Sequence, residues 1–248
     1  MLKNTPLCRN NCKFTFVLFM VFFSVFFFSC TDFFSDSLGK WAARNKSRLI
    51  PKVTVGNVDE LISMAENDPD LSLEILRKIL EEGGKISPED YARLQAAALE
   101  AAANATGGAN AILEGLGSLS TIDMDSVEQI ILDTLNSMPN LEEASRLLSE
   151  ILPVPADPQN PEDDETFMAF ANNASSEDLA LAAILLLAGE VLRTDADDFE
   201  SVMDNISESD SVKQAQAMAI VSVLSEREDA VTGPLRDALE GLGLIKKV

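Results

Sequence analysis

Residues 179–192 read LALAAILLLAGEVL, from Leu179 to Leu192, and carry apolar side chains nearly all round a helical wheel. A helix without a polar face belongs in an interior, covered on several sides by other elements. The run spans fourteen residues and has Glu190 near its end, short of the roughly 20 apolar residues that a bilayer-crossing helix needs. It predicts a helix over 176–193 at the centre of a body with more than one layer.

Upstream, Ala96 to Ala105 is rich in alanine, and a face of small side chains lets neighbouring helices approach closely. Apolar residues elsewhere recur at three- and four-residue spacing, and alternating β-branched runs are scarce, so the body is read as all-α. Helices are predicted over 57–67, 69–82, 88–105, 109–116, 123–137, 140–152, 165–173, 176–193, 196–206, 210–228 and 234–241. Their starts are marked by Asn57, Asp68-Pro69, Ser87-Pro88-Glu89-Asp90, Asn140-Leu141-Glu142-Glu143 and Ser175-Ser176-Glu177-Asp178. Each sets a capping side chain ahead of acids or a first-turn proline. Gly83-Gly84, Gly107-Gly108 and Gly233-Pro234 read as stops and turns.

The expected architecture is a helical-hairpin bundle or a short α-solenoid, with a tetratricopeptide-like array as one form of the latter. Ser87 to Ala92 and Ser175 to Ala180 match at four of six positions. A second echo, Ile75 to Leu80 against Leu147 to Leu152, has a different offset, so no single period emerges. Residues 153–164, with four prolines and several acids, offer a subdivision of the body at 53–152 and 165–248.

The N-terminus has a different character. Lys3, Arg9 and Lys13 precede an apolar and hydroxyl run, Phe14 to Phe28, followed by Ser29 and Cys30; the first acid is Asp32. A cationic start, a short apolar stretch and a small residue before cysteine resemble the export signal of bacterial lipoproteins, and the Phe-rich run is similar to those of spirochaete lipoproteins. The resemblance covers about thirty residues. It implies that residues 1–29 are cleaved and that Cys30 becomes the lipid-bearing first residue of a membrane-anchored envelope protein, on the periplasmic or surface side. A fainter similarity, carried by Asp68-Pro69-Asp70-Leu71 and the amphipathic and Ala-rich helices behind it, is to tetratricopeptide-like lipoproteins that accompany TRAP transporters. It transfers no binding residue.

Charge sharpens the division. The chain carries 19 basic and 41 acidic residues, net −22. Five basic residues, Lys40, Arg44, Lys46, Arg48 and Lys52, fall within thirteen positions alongside Phe33, Phe34 and Trp41, the only tryptophan. Residues 30–52 therefore read as a basic, membrane-proximal linker. Its cations suit anionic headgroups at about 1 kcal/mol each, its aromatics suit the interface, and both supplement a single acyl chain. Residues 53–248 form the acidic body, which would repel a polyphosphate backbone and has few aromatic platforms for stacking. No nucleic-acid partner is expected.

The catalytic inventory is thin. The chain has no histidine, and of its three cysteines Cys8 and Cys12 lie in the segment expected to be removed. Triads built on histidine, thiol catalysis and His- or Cys-ligated zinc are thereby excluded. Gly107-Gly108 and Gly115-x-Gly117 lack the Lys-Ser/Thr of a phosphate loop. Asp123-x-Asp125 and Asp195-x-Asp197-Asp198 lack the glycine and final glutamate of a calcium loop, and the acids between Asp157 and Glu165 read as solvated. No metal, cofactor or catalytic activity is expected. Two functions remain: a scaffold that presents helix pairs to an envelope protein, and a transporter accessory with an apolar cavity for a hydrophobic small molecule, lined by the Ala-rich and 179–192 helices.

Overall fold

The computed structural model describes residues 50–107, 134, 136–193, 211–227, 236 and 239. Seven α-helices lie among them: α1 (Val58–Ala65), α2 (Pro69–Glu82), α3 (Pro88–Thr106), α4 (Leu141–Ile151), α5 (Glu165–Ala171), α6 (Ser176–Arg193) and α7 (Val212–Glu226), with a 3-10 turn at Pro161–Asp163. The described residues contain no strand, and the protein is all-α. These helices lie within two residues of the bounds predicted from periodicity. The helices predicted at 109–116, 123–137, 196–206 and 234–241 lie wholly or largely outside the described residues.

Local chemistry explains where the helices begin. At α3 the Ser87 Oγ accepts from Asp90 N at 3.1 Å and donates to the Asp90 carboxylate at 2.9 Å. Ser175 and Asp178 repeat this at α6, at 3.1 and 2.6 Å. The sequence echo between these segments is thus the same capping arrangement used twice. Asp68 caps α2 through Leu71 N. Asn57 and Asn140 depart from expectation, because neither caps its own helix. The Asn57 amide bonds Thr54 and the Lys52 carbonyl instead. Asn140 has φ 53°, and its side chain donates to Ala105 O at 3.3 Å, tying α4 to the end of α3. Gly107 closes α3 in the left-handed region at φ 58°, where residues with a Cβ are disfavoured.

The helices form a bundle around α3, which packs against α1, α2, α4, α5 and α6. In a solenoid each repeat contacts only the adjacent repeats, whereas α3 also meets α6. Alanine makes the many contacts of α3 feasible: Ala98, Ala101, Ala102 and Ala105 are buried along with the larger Leu94 and Leu99. Helix α5 packs against this surface, with Phe167 and Phe170 fully buried in an edge-to-face pair at 5.7 Å between centroids. Each ring contributes about 1.5–3 kcal/mol by burial, and their pairing about 1 kcal/mol more. Helix α6 is buried at every position from Leu179 to Val191, as its all-round apolar sequence requires, and packs on α3, α4 and α7.

Residues Ile50–Val248 constitute one compact unit, to which Ile50 and Val53 contribute buried side chains. The proline-rich stretch 153–164 is packed rather than free. Pro161 is buried, the 3-10 turn contacts α5 and α7, and Asp157 accepts from Gln159 N and from the Asn160 amide at 2.9 and 2.7 Å.

Candidate functional site

Of the residues assigned to membrane attachment, Lys52 alone lies among the described residues; Cys30, Phe33, Phe34, Lys40, Trp41, Arg44, Lys46 and Arg48 lie outside them. Lys52 sits where the chain enters the bundle. Its ammonium stands 3.0 Å from the carboxylate of Glu82, at the end of α2, and Lys85 approaches the same group at 3.6 Å. The hydrogen bond from Lys52 holds the Glu82 carboxyl below its ordinary value despite the opposing effect of burial, and the charges of Lys52 and Lys85 add to it. Lys52 lies between the buried Ile50 and Val53, and this pair ties the segment ahead of α1 to the end of α2.

A second group of charges joins α2 to α4. Glu74 pairs with Arg77, which reaches Glu143 at 3.3 Å. Arg146 grips Glu143 through Nη2 at 2.9 Å and Nε at 3.2 Å, and also pairs with Glu150. The bond from Arg146 lowers the Glu143 carboxyl, and the reciprocal bond raises the Arg146 guanidinium. Opposite charges alternate along this row, three carboxylates against two guanidinium groups, and it ties α2 to α4.

Elsewhere carboxylates are uncompensated. Partial desolvation pushes the carboxyl of the exposed Glu100 above its ordinary value, and the charges of Asp178, Asp59 and Glu66 push it further. Two segments, α1 with its C-cap and the start of α6, thus bring acids towards one point on α3. Among the described residues no group of three or more carboxylate, thiol or imidazole side chains is arranged to hold a metal ion. The Asp123 and Asp195 motifs lie outside those residues. Within the Asp157–Glu165 stretch, two acids serve local structure: Asp157 closes its own turn, and Asp164 caps α5 through Thr166 N and Phe167 N at 3.0 Å.

The surfaces expected to line an apolar cavity are covered. The alanine face of α3 meets α1, α2, α4, α5 and α6, and α6 meets α3, α4 and α7. An open cleft of about 480 Å³ lies beside the start of α4, between Asn136, Met138, Asn140, Leu141, Glu142, Glu143 and Leu192. Its rim is largely polar, and it shares only Leu192 with the surfaces expected to hold a hydrophobic ligand. Among the described residues no helix is long and apolar enough to cross a membrane.

The polar residues that organise the interior escaped sequence reasoning. Gln95 of α3 donates to Ile151 O at 2.6 Å, and Gln216 of α7 donates to Ser149 O and Leu152 O at 2.9 and 3.0 Å. The two amides satisfy carbonyls that the end of α4 leaves without helical partners. Arg227 does the same for α5, bonding Ala171 O and Ala174 O and reaching the Ser176 hydroxyl. Gly189 permits α6 to approach α4, since a Cβ there would lie 2.0 Å from Ser145 Oγ. Two signals were present: Gln214 and Gln216 interrupt an apolar run, and a lone glycine inside a helix usually has a packing reason. Comparison of the chain with protein-family models, curated proteins and solved structures finds no match.

Proposed function

We propose that the chain is a lipid-anchored protein of the bacterial cell envelope whose acidic helical body is a non-catalytic scaffold for a protein partner. In this reading Cys30 bears the lipid, residues 30–52 face the membrane, and the body works from its outer surface. The observation that carries the scaffold over the carrier is the filling of the two apolar faces a carrier would use. Leu94, Ala98, Ala101 and Ala102 of α3 and the whole of Leu179 to Val191 are buried against neighbouring helices. A hydrophobic ligand would have to displace these contacts, whereas a protein partner uses surface already available.

Native mass spectrometry of the full chain released from detergent micelles tests this. An oligomer or a protein complex without a small molecule supports the scaffold. A stoichiometric lipid that remains bound to a Cys30→Ala protein, which has no covalent anchor, overturns it in favour of the carrier. The anchor is tested separately by metabolic labelling: Cys30→Ala should accumulate as an unprocessed precursor without labelled fatty acid, and normal cleavage and labelling of that variant would refute the assignment.

A further inference from the structure

The cleft beside the start of α4 combines two kinds of lining. Met138 and Leu141 are buried and Leu192, near the end of α6, is partly buried, so together they form an apolar floor. The rim beside that floor carries Glu142 and Glu143. Glu143 shares the guanidinium groups of Arg77 and Arg146, whereas Glu142 is exposed and makes no ion pair among the described residues. Glu142 and the neighbouring row thus set four carboxylates against two guanidinium groups. Asn140 donates to Ala105 O and holds the start of α4 against the end of α3, so the cleft belongs to the helical framework. Its volume, about 480 Å³, lies within the usual range of ligand pockets. The uncapped start of α4 would by itself suit an anion, but two carboxylates stand in the same turn, and residues 53–248 carry 11 basic against 39 acidic side chains. A cation on a long apolar stem meets both linings. The stem of lysine or arginine lies along apolar side chains while its charged head stays near water and a carboxylate.

We propose that this cleft is the docking point for a basic segment of the protein partner, taking one lysine or arginine side chain with its stem on Met138, Leu141 and Leu192 and its cation at Glu142. This rests on the scaffold reading and adds to it the place and the charge of the partner. The acidic body draws a basic segment in from a distance, and Glu142 marks where it lands. Methyl NMR of the full chain in detergent tests it, with N-acetyl-argininamide as the probe and N-acetyl-norleucinamide as its uncharged counterpart. The arginine probe should shift the Met138, Leu141 and Leu192 methyl signals and leave those of the core residues Leu76 and Leu179 in place. It should bind about fivefold more tightly than the norleucine probe, a preference of the size an exposed ion pair supports, and added salt should reduce that preference. Glu142→Gln should abolish the preference and leave the norleucine probe unaffected. Equal binding of the two probes, arginine binding unaltered by Glu142→Gln, or no shift of the cleft methyl signals would overturn the proposal. Native mass spectrometry separates it from the scaffold reading. Complexes that form equally well with Glu142→Lys overturn the cleft and leave the scaffold standing, whereas absence of any complex from the parent chain overturns both.

Discussion

Gly189→Ala probes the close approach of α6 to α4. In an ordinary exposed helix this substitution gains about 1 kcal/mol, because alanine loses less backbone entropy than glycine. Here the new Cβ would stand 2.0 Å from Ser145 Oγ and 2.5 Å from Ser145 Cβ. Rotating the hydroxyl relieves the first contact but leaves the second, so α6 and α4 must separate by about an ångström to reach van der Waals distance near 3.5 Å. Overpacking of this severity costs about 3 kcal/mol, for a net loss of about 2 kcal/mol after the propensity gain. For a body of this size that lowers the melting temperature by about 4–8 °C.

The clash identifies its own compensation. Ser145→Gly removes both offending atoms, and the next neighbour of the added methyl group is Lys213 Nζ, a flexible end at 3.3 Å. In that background Gly189→Ala should become neutral or stabilising, a coupling of about 2–3 kcal/mol between the sites. Urea denaturation followed by far-ultraviolet circular dichroism on the four proteins of the cycle measures it. Equal destabilisation by Gly189→Ala in both backgrounds would refute the close-crossing argument, and so would a stabilising effect in the parent protein.

Other substitutions test the electrostatics and the interior hydrogen bonds. Glu100 has a raised folded value, so its ionised form opposes folding above the unfolded carboxylate range; Glu100→Gln should raise the melting temperature at pH 7, and the gain should vanish as the pH falls through that range. Glu82 has a depressed value, so its contribution is present above the unfolded value and is lost as the pH falls through the folded one; Lys52→Met should destabilise at neutral pH and match the parent in acid, which thermal melts across pH would show. Gln216→Leu leaves Ser149 O and Leu152 O buried without their donor and should cost about 2 kcal/mol in denaturant unfolding despite the added apolar surface. Ser145→Ala removes a buried hydroxyl that has no partner and should be neutral or slightly stabilising in the same assay.

The fold was legible where the sequence speaks locally. The all-round apolar run at 179–192 became the enclosed α6, and the Ser-x-x-Asp starts at Ser87 and Ser175 became matching caps, because both signals involve residues within one or two helical turns. Asn57 and Asn140 show the limit. As helix-start residues they look like Ser87, but the Asn57 amide serves the entering chain and that of Asn140 reaches back 35 residues to Ala105. A cap is a competition among acceptors and donors, and a distant partner that wins it leaves no trace nearby. The acids around Glu100 belong to two segments distant in sequence, α1 with its C-cap and the start of α6, so their convergence is a product of packing that periodicity does not encode.

The same reasoning explains why the interior polar residues matter more than their number suggests. Gln95 and Gln216 bind carbonyls 56 and 64 residues away, and Arg227 binds one 53 residues away. Apolar patterning alone tolerates several pairings of such uniform Ala- and Leu-rich faces, since alanine and leucine surfaces slide past one another with little change in burial. A buried carbonyl does not slide, because a shift of one residue leaves it without a donor at about 1–3 kcal/mol. Gln95 and Gln216 therefore select the register in which α3 and α7 meet the end of α4, and Arg227 that in which α7 meets the corner between α5 and α6. Replacing Gln95 and Gln216 together with leucine should retain helix content while near-ultraviolet dichroism and dispersion of methyl resonances decline, the signature of lost unique packing. A double variant with native methyl dispersion and one cooperative transition would show that the apolar faces specify the register unaided.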